Sequence, residues 1–87
     1  MWHVKIQEDA LEFLKRLDQK TRTSFIARLE KLSFLPDRQG KPLTGPLKGF
    51  RRLRIGRYRV IYHLDWKERI VTVIAIGHRK EIYKRSF

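Results

Sequence analysis

The 87-residue sequence contains no cysteine. Disulfides and cysteine-ligated metal sites are therefore excluded, and a reducing compartment is the natural setting. No apolar run approaches the roughly 18 residues that cross a bilayer. The opening MWHVKIQEDA lacks the succession of a secretory leader. A cytoplasmic protein with no membrane partner is expected. Acidic residues are scarce, nine Asp/Glu against 21 Lys/Arg, for a net charge of +12. His3, His63 and His78 are scattered and no acidic cluster accompanies them, so neither a metal nor a cofactor is expected. No HExxH, Walker-type, GxSxG or GxGxxG spacing occurs. Proline and glycine are few and unevenly placed: all three prolines and three of the five glycines lie within residues 36–49.

What is present is basic charge, unequally distributed. Residues 1–37 carry seven Lys/Arg and six Asp/Glu, whereas residues 38–87 carry fourteen and three. One part is balanced and the other is a cationic surface, the footprint of a nucleic-acid or other polyanion binder. The length fits a single domain over 1–87. WHVKI (2–6) alternates like a short strand. EDALEFLKRL places Ala10, Phe13, Leu14 and Leu17 at helical spacing, with acids first and bases last as the helix dipole favours. DQKT (18–21) reads as a short connector. A second helix follows, with Phe25, Ile26, Leu29 and Leu32 on one face, and Pro36 stops it. The segment 36–49 has no periodicity and reads as a long loop. Strands are expected at about 50–55, 58–65 and 69–77. The fold class is α+β: an N-terminal helical hairpin packed on a small, mainly antiparallel four-stranded sheet.

The stretch FRRLRIGRYR (50–59) holds five arginines in ten positions. Gly56-Arg57 suits a two-residue type II′ turn, with glycine at its first central position. That turn pairs Ile55 with Tyr58, Leu53 with Val60, Arg51 with Tyr62, Arg54 with Arg59 and Arg52 with Ile61. Side chains alternate faces along a strand. Leu53, Ile55, Tyr58 and Val60 then pack on the helices, while Arg52, Arg54 and Arg59 share the opposite face. Like charges opposite each other destabilise a sheet by about 0.2–1 kcal/mol. Phosphates would relieve that repulsion, and arginine's planar fork suits them.

If the polyanion is RNA, metal-free cleavage needs a base for the 2′-OH proton, donors for the charge building on phosphorus oxygens, and an acid for the leaving 5′-oxygen. The arginines can serve the second need. Titratable candidates in the basic part are His63, His78, Tyr58, Tyr62 and Tyr83. Tyr58 and Tyr62 point toward the core in this register, and His63 lies far along its strand.

The segment LKGFRRLRIGRYRVIYHLD followed by VIAIGHRKEIY resembles the RelE branch of the RelE/ParE toxins of type II toxin–antitoxin pairs. The likeness covers nearly the whole chain. Its marks are the RxRxGxYRxxY segment and the GHRxxxY tail. The resemblance implies a ribosome-dependent, metal-independent endoribonuclease (an mRNA interferase). Such a toxin cuts mRNA in the ribosomal A site by 2′-OH attack, leaving a 2′,3′-cyclic phosphate and a 5′-OH. It implies that Arg52 and Arg54 bind phosphate, that Arg59 steadies the charged transition state, that Arg79 serves the transition state or the leaving group, and that Tyr83 is the general base. Arg51 and Lys48 complete the expected substrate-binding set. His78 joins the catalytic set, because some relatives use a histidine near this position as acid or base; the division of labour between His78 and Tyr83 stays open. The implied partners are the ribosome with its mRNA and a cognate RelB-like antitoxin whose covering segment is acidic. Free toxin is expected to be a monomer and to form a heteromeric complex with the antitoxin. Three other readings compete: a ParE-type toxin that binds and inhibits DNA gyrase, a non-catalytic RNA-binding module, and an inactive toxin-like protein kept for complex formation.

Overall fold

Alternation and charge order build the first elements. The computed structural model describes residues 1–84, so the last three residues of the basic tail lie outside the described residues. Strand β1 is His3–Ile6 and helix α1 is Glu8–Lys15. Helix α1 opens on Glu8 and Asp9, ends on Lys15 and buries Ala10 and Leu14. Helix α2 is Gln19–Glu30 and buries Phe25 and Leu29. It starts one residue after Asp18, whose side chain accepts the Thr21 backbone N–H at 3.1 Å. That cap holds the Asp18 carboxyl below its ordinary range. The connector is thus shorter than DQKT. Arg22 closes it from α2 by donating from Nε to the Leu14 carbonyl at 2.9 Å. Phe13 and Phe25 join the two helices, with ring centroids 6.3 Å apart. A 3-10 turn, Lys31–Ser33, extends the end of α2.

The remaining strands are β2 (Lys41–Pro42), β3 (Phe50–Ile55), β4 (Tyr58–Asp65) and β5 (Ile70–His78). The sheet order is β1-β5-β4-β3-β2. Strand β1 runs parallel to β5 and every other pairing is antiparallel. Two parts of the expected architecture are corrected here. The sheet has five strands, not four, and the helical pair is not N-terminal, because β1 precedes it and joins the sheet. The extra strand is two residues long and half proline, so it carries no alternation to read. It exists because Lys41 pairs with Arg52 and Pro42 with Arg51.

The hairpin register matches the turn chemistry. All five expected pairs between β3 and β4 form, and Gly56 takes φ +58°, as a first central II′ residue must. Between β4 and β5 the register shifts: Ile61 faces Ala75 but Tyr62 faces Val73, leaving Ile74 as an extra residue. This β-bulge reverses the alternation of β5. Before it, Val71 and Val73 face the helices; after it, Ile76 does. Ala75 falls in a second cluster, with Ile61 and Ile82, on the opposite face.

The connector 34–40 is pinned to the sheet by Tyr62, which is fully buried. Its hydroxyl lies 2.9 Å from the Pro36 carbonyl oxygen and accepts from Arg51 Nε at 3.2 Å. Burial pushes the Tyr62 phenol above its ordinary value. Replacing Tyr62 by Phe leaves buried polar partners unpaired and should cost about 1–3 kcal/mol. Urea unfolding of the two proteins checks this. The wild-type contribution of the neutral phenol is present below the free-phenol pKa of about 10. It is lost as pH rises through the higher folded-state value, a loss the phenylalanine variant should not show.

Candidate functional site

The face of the sheet turned away from the helices carries the arginines. Arg59 is the most enclosed, only 6% exposed. Its Nη1 donates to the Tyr58 carbonyl at 3.0 Å and the Gly56 carbonyl at 3.3 Å. Burial, and after it the charge of Arg54, holds its guanidinium below the ordinary arginine value; Arg52 and Arg79 act in the same direction, while Tyr83 opposes them. Arg54 stands directly opposite Arg59, Arg52 shares that face of β3, and the charges of Arg52, Arg54, Arg79 and Tyr83 all bear on Arg59. The backbone N–H of Arg79 donates to the Arg57 carbonyl at 3.0 Å, tying the tail to the hairpin turn.

Tyr83 is brought there by its neighbour. Ile82 is fully buried and packs with Ile61 and Ala75. It can lie flat on β5 because Gly77, the residue opposite Arg59, has no side chain. A Cβ on Gly77 would sit 3.1 Å from Ile82 Cδ1. With Ile82 seated, the 42%-exposed Tyr83 turns outward, and its hydroxyl lies 3.5 Å from Arg52 Nη1.

Three residues of the expected set stand elsewhere. His78 pairs with Tyr58 on the helix-facing side, their rings 6.3 Å apart, and its Nδ1 accepts the Lys80 N–H at 3.2 Å. The Ile74 bulge explains this, since unbroken alternation along β5 would have turned His78 toward the arginines. Arg51 also faces the helices, where its Nη2 donates to the Gln39 and Gly40 carbonyls at 3.1 and 3.3 Å. Lys48 is exposed before β3, at the end of the hairpin remote from Gly56. Of the residues set aside, Tyr58 and Tyr62 belong to the helix-side core as read. His63 shares the arginine face but lies beside Phe50 at the far end, ring centroids 6.1 Å apart. Lys41 is the residue that sequence reasoning missed. It pairs with Arg52 and, with Gly40, Arg52, Leu53 and Arg54, lines an open pocket of about 320 Å³.

Among the described residues, no carboxylate lies within 4 Å of the cations on this face. Among the described residues the one ion pair within 4 Å is Lys15–Glu12, at 3.3 Å on α1. Among those residues, too, no group of three or more His, Cys, Asp or Glu could hold a metal ion, and no helix is long and apolar enough to cross a membrane. The arrangement can bind phosphates through four guanidinium groups and stabilise negative charge building beside Arg59.

Residues 4–83 match the family model described as the ParE toxin of type II toxin–antitoxin systems, parDE. Toxin RelE of Mycobacterium tuberculosis is 34% identical over 86 residues, covering 98% of this chain and 89% of its own. Toxin RelG of the same organism is 41% identical over 54 residues, 62% of either chain. Among solved structures, the RelBE2 toxin–antitoxin complex of M. tuberculosis matches at TM-score 0.82 with 29% identity, covering 90% of this chain and 98% of that one. The archaeal RelE–RelB complex of Pyrococcus horikoshii matches at TM-score 0.72 with 26% identity, covering 90% and 94%. By its whole-length match and its fold, the chain belongs to the RelE/ParE superfamily of toxins from type II toxin–antitoxin systems.

Proposed function

We propose that this toxin is a ribosome-dependent endoribonuclease that cleaves mRNA in the A site without a metal ion. The observation that carries the reading is the convergence of Arg52, Arg54, Arg79 and Tyr83 around the enclosed Arg59. In this reading the 2′-oxygen attacks phosphorus as its proton passes to the phenolate form of Tyr83, which leaves the step as the neutral phenol. The O2′–P bond forms and the P–O5′ bond breaks, giving a 2′,3′-cyclic phosphate. Arg59 meets the charge on the phosphoryl oxygens. Arg79 meets that on the leaving 5′-oxygen, which takes its proton from water, because a guanidinium does not usefully give one up. Arg52 and Arg54 hold flanking phosphate. Tyr83 is the acid–base group that acts on Arg59 together with these arginines, so in this reading the site supports slow chemistry on free RNA. It gains most from a partner that orients the 2′-OH in line with the leaving oxygen. The ribosome supplies that orientation in this reading. An acidic segment of a RelB-like antitoxin covers the arginine face by charge complementarity. Two solved relatives of this fold are toxin–antitoxin complexes, which supports such a partner.

The test is in-vitro translation with programmed ribosomes and purified protein, mapping mRNA ends by primer extension. Cuts at the A-site codon support the reading. Intact mRNA overturns it, and inhibition of gyrase supercoiling by the same protein would put a gyrase-directed toxin in its place. The Gly77 contact adds a graded prediction. Gly77→Ala has no positive φ to strain and asks Ile82 to give by a few tenths of an ångström. It should keep the melting temperature near wild type yet slow cleavage about tenfold, since a 1 Å misplacement can cost about 10²-fold.

A further inference from the structure

Lys41 and Arg51 have exchanged the places that their positions in the chain suggest. Arg51 sits within the arginine run, yet its side chain lies on the helix-facing side. There it binds the Tyr62 hydroxyl and the carbonyls of Gln39 and Gly40. Lys41 sits in a segment without periodicity, yet its pairing with Arg52 puts it on the arginine face. We propose that Lys41 is a further RNA-phosphate-binding residue, and that the Gly40–Arg51–Tyr62 contacts are what position it. This rests on the endoribonuclease reading for its substrate class, a single-stranded RNA backbone.

The geometry supports the inference at three points. Lys41, Arg52 and Arg54 line one open pocket at the outer edge of the sheet. Lys41 stands one strand from Arg52, about 4.8 Å, and Arg54 stands two residues further along β3, about 6.8 Å. Three cations therefore border the pocket from two directions, and no carboxylate pairs with any of them among the described residues. Finally, the strand that carries Lys41 is fixed with little freedom. Gly40 has φ +64°, and a Cβ there would fall 2.2 Å from the Arg52 carbonyl oxygen, so only glycine fits. A lysine on a loose loop would need no such approach. A lysine held against Arg52 to extend a phosphate track requires it.

The test is binding of a single-stranded RNA oligonucleotide, 2′-O-methylated so that it cannot be cut, by the full chain over a range of salt. Each phosphate contact on a single strand contributes about 0.7 to the slope of log K against log salt. Lys41→Ala should lower the slope by about 0.7 and weaken binding equally for different sequences. Lys41→Arg should restore both. Arg57→Ala removes the same unit of charge from the exposed turn tip and should leave the slope unchanged. Arg51→Met, which retains much of the side chain's bulk, should reproduce part of the Lys41→Ala slope loss. It should add little to it in the double variant. An unchanged slope in Lys41→Ala, or an equal loss in Arg57→Ala, overturns the inference, the latter by showing a general effect of net charge. Failure of this inference and of the cleavage reading are separable. A-site cuts with a Lys41-independent slope sink only the former, and intact ribosomal mRNA with a Lys41-dependent slope sinks only the latter.

Discussion

Replacing Arg59 by leucine is expected to slow mRNA cleavage by about 10²–10³-fold, the cost of removing one donor to a developing oxyanion, while raising the melting temperature by a few degrees. The two effects have one origin. Arg59 is buried and stands directly opposite Arg54, so the folded chain disfavours its charge. Because its folded-state pKa is lowered from the ordinary arginine value, that cost is present throughout the neutral range. Like charges opposite each other cost a sheet about 0.2–1 kcal/mol, and a domain of this size shifts its melting temperature by about 4–8 °C per kcal/mol. The carbonyls that lose their donor belong to Gly56 and Tyr58 at the hairpin turn, and Gly56 is open to water. Thermal unfolding and ribosomal cleavage measured on one preparation decide it. A leucine variant that melts lower would show that Arg59 is held for structure.

The second large effect separates Tyr83 from His78. Tyr83→Phe should reduce cleavage by about 10²–10⁴-fold, the usual contribution of a positioned acid or base, without changing stability, because among the described residues the hydroxyl accepts one long hydrogen bond, from Arg52 Nη1. His78→Gln should stay within about threefold of wild type, because its ring lies beside Tyr58 on the helix-facing side. Single-turnover rates on programmed ribosomes give both numbers. The opposite ranking would mean that the end of β5 rearranges on the ribosome.

Much of this molecule is legible in its sequence, for local reasons. Gly56-Arg57 dictates its own turn, the turn dictates the register, and the register divides Leu53 and Val60 from Arg52, Arg54 and Arg59. What cannot be read depends on partners distant in sequence. Strand β2 is strand only because β3 lies beside it. The Ile74 bulge shows only in the β4–β5 pairing, and β5 is largely β-branched and apolar on both sides of it, so nothing in the sequence marks the slip. His78 and Arg51 were expected at the site by resemblance and by proximity along the chain. Their side chains obey the pleat, which the bulge shifts for one and the hairpin register fixes for the other. Lys41 was hidden because a proline-rich segment reads as loop. The order of residues 34–40 comes in part from Arg51 and Tyr62, whose contacts with each other and with Gln39 exist only once the sheet is assembled.

The same sheet has two outer strands, and their composition bears on how the toxin behaves when nothing covers it. A long, flat, apolar edge strand recruits copies of itself and seeds aggregates. Here the β2 edge is two residues long, contains Pro42 with no N–H to donate, and carries the charge of Lys41. The β1 edge is four residues long and exposes His3 and Lys5. Neither is the long, flat, apolar ladder on which another copy readily extends a sheet. The uncovered protein should therefore stay dispersed at concentrations where a plain-edged sheet would form fibrils, and so remain available for capture by its antitoxin.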